Sequence, residues 1–98
     1  MGYYSNFEVV DTDIENILDV LRASTGVYGD SWYGETNPYM DSVKWYDWAK
    51  DLEQIAFGYP NNYLIMLRIG EEAPDMERAI VRNGKVKFQR PNITWPAE

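Results

Sequence analysis

Asn83-Gly84 separates two runs of alternating residues, Met76–Arg82 and Lys85–Arg90, and no other feature constrains the fold of this chain as tightly. A two-residue hairpin loop prefers a type I′ turn, whose central residues both need positive φ, and Asn-Gly meets that need best. So short a loop also sets the register. Val81 then faces Val86 and Ala79 faces Phe88 on one side; Arg82 faces Lys85 and Ile80 faces Lys87 on the other. The hairpin has an apolar face for a core and a basic face carrying Arg78, Arg82, Lys85 and Lys87, extended by Arg90. The like charges at 82 and 85 sit directly opposite and cost roughly a few tenths of a kcal/mol. An acidic partner, or acidic side chains of the same chain, would relieve that.

The other elements follow from periodicity. Tyr3–Val10 reads as a strand with Tyr3, Phe7 and Val9 on one face. Thr12 and Glu15 stand at capping-box spacing, and Ile14, Ile17, Leu18 and Leu21 make the apolar stripe of a helix that Gly26 ends. Ser42–Tyr46 can form a short strand. Asp47 is placed to cap a second helix with Trp48, Leu52, Ile55 and Ala56 inward, stopped by Gly58 and Pro60. Tyr63–Ile69 is apolar on both faces, as expected of a central strand. Trp95, in the irregular tail PNITWPAE, is expected to dock on the domain. The order β-α-β-α-β-β-β predicts one α+β domain over residues 1–98: a two-layer sandwich, mainly antiparallel, with two helices on one face.

Composition narrows the function classes. The 98 residues are 45% hydrophobic and 15% aromatic, enough for one core without staples. With no cysteine and no histidine, Ser–His and Cys–His nucleophiles and thiolate metal sites are excluded, and the usual general base near neutral pH is missing. No GxGxxG or phosphate-binding loop is present, so neither catalysis nor a cofactor is expected. Glu71, Glu72, Asp75 and Glu77 cluster at one turn and could hold a hard cation. Their spacing matches no EF-hand, and acids in exposed turns are common, so no metal is expected. No segment is long and apolar enough to span a bilayer, and MGYYSNFEVV lacks a basic start and an apolar run, so no membrane partner and a cytoplasmic location are expected.

The net charge of −7 is uneven: residues 1–60 hold eleven acids and three bases, residues 61–98 five acids and six bases. This balance disfavours nonspecific nucleic-acid binding, which needs a cationic surface. It suits a protein whose carboxylates face a basic partner.

The stretch TGVYGDSWYGETNPYM, Thr25–Met40, combines Tyr28, Trp32, Tyr33 and Tyr39 with three glycines and one proline and has no clean period. Trp45, Trp48 and Phe57 have core explanations from their strand and helix spacing; the four loop rings do not. Two readings remain open. The rings fold back over an open side of the sheet, or they form a contact surface of the Tyr- and Trp-rich kind found in antibody loops. Burial of Trp32 separates the two. In the second reading the contacts are Tyr28, Asp30, Trp32, Tyr33, Glu35, Tyr39 and Asp41, with Arg78, Arg82, Lys85 and Lys87 as a second patch.

MGYYS at Met1–Ser5, WYGE at Trp32–Glu35, VKWYDW at Val43–Trp48, IGEE at Ile69–Glu72 and NGK at Asn83–Lys85 together resemble a loose group of short proteins encoded by bacteriophages, prophages and some bacteria. The resemblance implies a small cytoplasmic α+β accessory factor and brings no catalytic residues. It makes the expected function the binding and inhibition of a host protein with a basic surface, such as a defence or nucleic-acid-processing factor. A small-ligand or nucleotide-binding protein, with weak hydrolysis, and a structural homodimer are the alternatives.

Overall fold

A computed structural model describes residues 4–72 and 75–91. The elements run β1 (Ser5–Thr12), α1 (Ile17–Ser24), a 3-10 helix (Gly26–Ser31), β2 (Tyr39–Val43), α2 (Trp48–Gly58), β3 (Leu64–Gly70), β4 (Met76–Arg82) and β5 (Lys85–Gln89). Every strand pairing is antiparallel, and the sheet order is β2-β1-β3-β4-β5. This is the expected α+β sandwich. Tyr3 and Trp95, which the sequence assigns to a strand and to a docked tail, lie outside the described residues.

The hairpin register is the one that Asn83-Gly84 implies: Ala79 faces Phe88, Ile80 Lys87, Val81 Val86 and Arg82 Lys85. Asn83 and Gly84 hold φ of 55° and 74°, the paired positive angles of a type I′ turn.

Alternation then sorts each strand. Phe7, Val9, Met40, Leu64, Met66, Ala79 and Val81 are buried on one side, in one cluster with Ile17 and Leu21 of α1 and Leu52, Ile55 and Ala56 of α2. Aromatic rings form a chain through this core. Trp32 meets Trp45 at 5.8 Å, Trp45 meets Phe7 at 4.9 Å, and Phe7 and Phe88 flank Trp48 at 5.5 and 5.1 Å. Most of these contacts are edge-on, the arrangement that ring quadrupoles favour.

One end of the core is polar. Arg68 points inward opposite Phe7. Its guanidinium binds Asp75 at 2.8 Å and Ser5 Oγ at 3.2 Å, with Glu77 at 3.6 Å. The hydrogen bonds that Arg68 donates to Asp75 hold its pKa above the usual arginine value, against the opposing effect of burial.

Four local expectations are corrected. Asp47 precedes α2 but its side chain makes no capping hydrogen bond. The capping box does not form: α1 starts at Ile17, behind Asn16 in a left-handed conformation (φ 56°). Thr12 Oγ1 instead accepts from the Ile14 N–H at 3.1 Å and donates to the Tyr63 carbonyl at 2.7 Å, while Asp13 accepts from the Tyr63 N–H at 2.8 Å. The TDIE side chains therefore tie the end of β1 to the entry of β3. The second strand is Tyr39–Val43 rather than Ser42–Tyr46. Ser42 sits at φ 51° and donates its N–H to Asn6 Oδ1 at 2.8 Å, which steers the chain off the sheet before Trp45. Phe57 is not a core residue but is 87% exposed. It follows Trp48 by nine positions, which at about 100° per residue puts it on the opposite side of α2.

Candidate functional site

The aromatic stretch divides into an inner and an outer half. Trp32 is wholly buried. Its Nε1–H donates to Thr25 Oγ1 at 3.1 Å, Thr25 Oγ1 donates to the Leu21 carbonyl at 2.7 Å, and Arg22 Nη2 reaches the Trp32 carbonyl at 3.2 Å. Tyr28 is half-buried and donates its hydroxyl to the Lys44 carbonyl at 2.8 Å. Both residues are thereby corrected from contact anchors to structural ones. They fasten the 3-10 segment to the end of α1 and to the start of the β2–α2 connection. Gly29 permits this close approach, since a Cβ there would lie 2.5 Å from the Arg22 carbonyl oxygen.

Tyr33 and Tyr39 stay outside, at 58% and 44% exposure. They exchange two backbone hydrogen bonds, 3.0 and 2.8 Å, as an antiparallel bridge, and their rings lie 5.6 Å apart. Tyr33 therefore adds one residue of pairing to the β2 edge. Asp30, Glu35 and Asp41 are exposed. Asp41 lines a shallow hollow with Asn6, Glu8, Tyr39 and Ile69, which places it beside the tyrosine pair.

Register shows what the pair joins. Tyr33 faces Tyr39, Tyr39 faces Glu8, Glu8 faces Leu67, Leu67 faces Arg78, and Arg78 faces Gln89. This is one unbroken row across the sheet side that carries no helix. The row on one side holds Asn6, Ile69 and Met76; the next on the other side holds Asp11, Ile65, Ile80 and Lys87. Beyond it Arg82 pairs with Lys85, and the Arg82 guanidinium stacks on the Tyr63 ring at 5.7 Å. Partial desolvation and the hydrogen bond to Asp11 raise the Tyr63 pKa. The two patches that the sequence keeps apart, the loop tyrosines and the basic hairpin, thus lie on one surface.

That surface is polarised. Among the described residues its β1–β2 side carries Glu8, Asp11 and Asp41, with Lys44 at one corner over the Tyr4 ring at 4.8 Å, and its β4–β5 side carries Arg78, Arg82, Lys85 and Lys87 and no acid. Between them runs an apolar seam of Ile65, Leu67, Ile69, Met76 and Ile80. Ile69 and Met76 are exposed and the others half-buried. Among the described residues none of the four bases makes an ion pair; Arg78 donates only to Gln89 Oε1, at 2.6 and 3.1 Å. The seam went unrecognised in the sequence. Its signal is β3, apolar on both faces in a fold with helices on only one.

Three acids of the 71–77 turn are engaged elsewhere. Asp75 and Glu77 bind Arg68, and Glu71 accepts from the Tyr4 N–H at 3.0 Å. Among the described residues no group of three acids could hold a metal ion, and no helix is long and apolar enough to cross a membrane. An open hollow of about 590 Å³ lies on the sheet face against Leu67, Met76, Arg78, Gln89, Arg90 and Pro91. Another, of about 620 Å³, lies between Thr25–Tyr28 and Lys44–Asp51. Neither joins the 25–42 stretch to the acids of the 71–75 turn, as a nucleotide site there would require. No protein-family model, curated protein or solved structure matches the chain.

Proposed function

We propose that this protein works by binding another protein rather than by catalysis, as an accessory factor of bacteriophage type that inhibits a host protein with a basic surface. A defence or nucleic-acid-processing factor has such a surface, because it must bind phosphates. The observation that carries the reading is the exposed Tyr33–Tyr39 pair, fixed by its two backbone hydrogen bonds and set among the exposed acids Glu8, Glu35 and Asp41. Tyrosines of this kind supply contact area at little entropic cost and dominate binding hot spots. The acids raise the association rate and make it fall with salt. Absence of His and Cys and the resemblance in MGYYS, WYGE, VKWYDW and NGK support the same reading.

The test is retention of bacterial proteins from a lysate by the immobilised domain, wild type against Tyr33→Ala/Tyr39→Ala. The bridge uses backbone atoms only, so the double variant keeps its melting temperature. A retained basic protein that the variant loses is the expected result. An identical set of retained proteins removes the tyrosine pair from the function.

A further inference from the structure

We propose that the open sheet face is the interface of a face-to-face homodimer, in which the acidic half of each copy covers the basic half of the other. This goes beyond the inhibitor reading and draws on the whole open face, so Glu8 and Tyr39 serve in both while Tyr33 and Glu35 stay outside the dimer. The order acid, apolar, base across β1, β3 and β4 makes the face complementary to itself under one two-fold rotation. An axis running along β3, between the copies, reverses strand order but keeps the rows. β1 of one copy then lies over β4 of the other, and β2 over β5. Row by row, Leu67 meets its own counterpart, Glu8 comes over Arg78, and Tyr39 comes over Gln89. In the next row Asp11 lies over Ile80, next to Lys87. An axis running across the strands would stack acids on acids and bases on bases, which excludes it. Aligned sheets cross at only about 30° and keep such columns together.

The size fits a reversible dimer. Five strands about 4.8 Å apart give a face roughly 24 Å wide, and four rows make it about as long. That is close to 600 Å² on each copy and roughly 1,200 Å² in all, the lower end of specific interfaces. The seam explains why Ile69 and Met76 stand exposed on a central strand and its neighbour. The product is a four-layer α/β/β/α particle. Tyr33, Glu35 and Asp30 lie beyond the overlap and stay available to a different partner.

Sedimentation velocity from about 1 μM to about 1 mM protein reads the equilibrium, with charge reversals as the decisive variants. The wild type is expected to shift from monomer to dimer over this range, and less so at high salt. Arg78→Glu alone is expected to weaken association about tenfold or more. Glu8→Arg/Arg78→Glu is expected to restore it, because the two positions exchange roles across the axis. Leu67→Asp sets two carboxylates together on the axis and is expected to abolish it. Circular dichroism establishes that each variant folds. A folded wild type that stays monomeric throughout overturns the dimer and leaves the face to a different protein. A dimer that Leu67→Asp does not affect, or that the double reversal fails to restore, places the interface elsewhere.

Discussion

Replacing Trp32 with alanine removes a wholly buried indole and the donor to Thr25. A loss of about 3–5 kcal/mol of unfolding free energy is expected, seen as a clear drop in the denaturant midpoint. Phe57→Ser, at the most exposed of the large apolar side chains, is expected to change stability by no more than about 0.5 kcal/mol. From sequence alone Trp32 is open between contact and cover, and Phe57 reads as core; the structure buries the first and exposes the second. The fate of Trp32 depends on Thr25 and Trp45, neither of which any local period connects to it. Phe57 stands nine positions from Trp48, half a turn out of phase, so the helical period itself sets it outside the buried stripe. Arg68→Ala removes the guanidinium shared by Asp75 and Glu77, although Arg90 still reaches Asp75 at 3.3 Å. A loss of about 1–3 kcal/mol is expected, between the value of an exposed pair and that of a buried one.

Elements were legible where a turn or a long period dictates them. The β4–β5 hairpin follows from two residues, because Asn83-Gly84 leaves one register available. Gly84→Ala must hold a Cβ at φ 74°, and a loss of about 1 kcal/mol in thermal or chemical denaturation is expected. Helix α2 appears where its stripe places it. The start of α1 was not legible, since Thr12 and Asp13 have two uses: capping a helix, or holding Tyr63. The long-range use prevails because it satisfies backbone groups at the junction of β1 and β3. Native-state hydrogen exchange is expected to be slowest in β3, paired on both sides, and faster in α1, a helix of eight residues. Protection of α1 equal to that of β3 would contradict this order.

At the scale of the molecule, one side of the sheet is sealed by helices and rings and the other is left open with opposite charges on its two halves. The layer architecture was legible, and so were both polar patches. Their union was not, because strand order decides which patches share a face, and order depends on pairings between distant segments. Placing β1 and β3 at the centre sets Glu8 and Leu67 between Tyr39 and Arg78. An apolar seam between charged flanks is a contact surface in need of a cover.

Methionine oxidation tests that claim most directly, because Met40 and Met66 are wholly buried on the helix side whereas Met76 is 36% exposed in the seam. In dilute folded protein Met76 is expected to oxidise readily while Met40 and Met66 resist, and Met76 is expected to become protected as the concentration rises. If Met76 resists as strongly as Met66 at high dilution, or if its rate is the same at every concentration, the seam is not a surface that pairing covers.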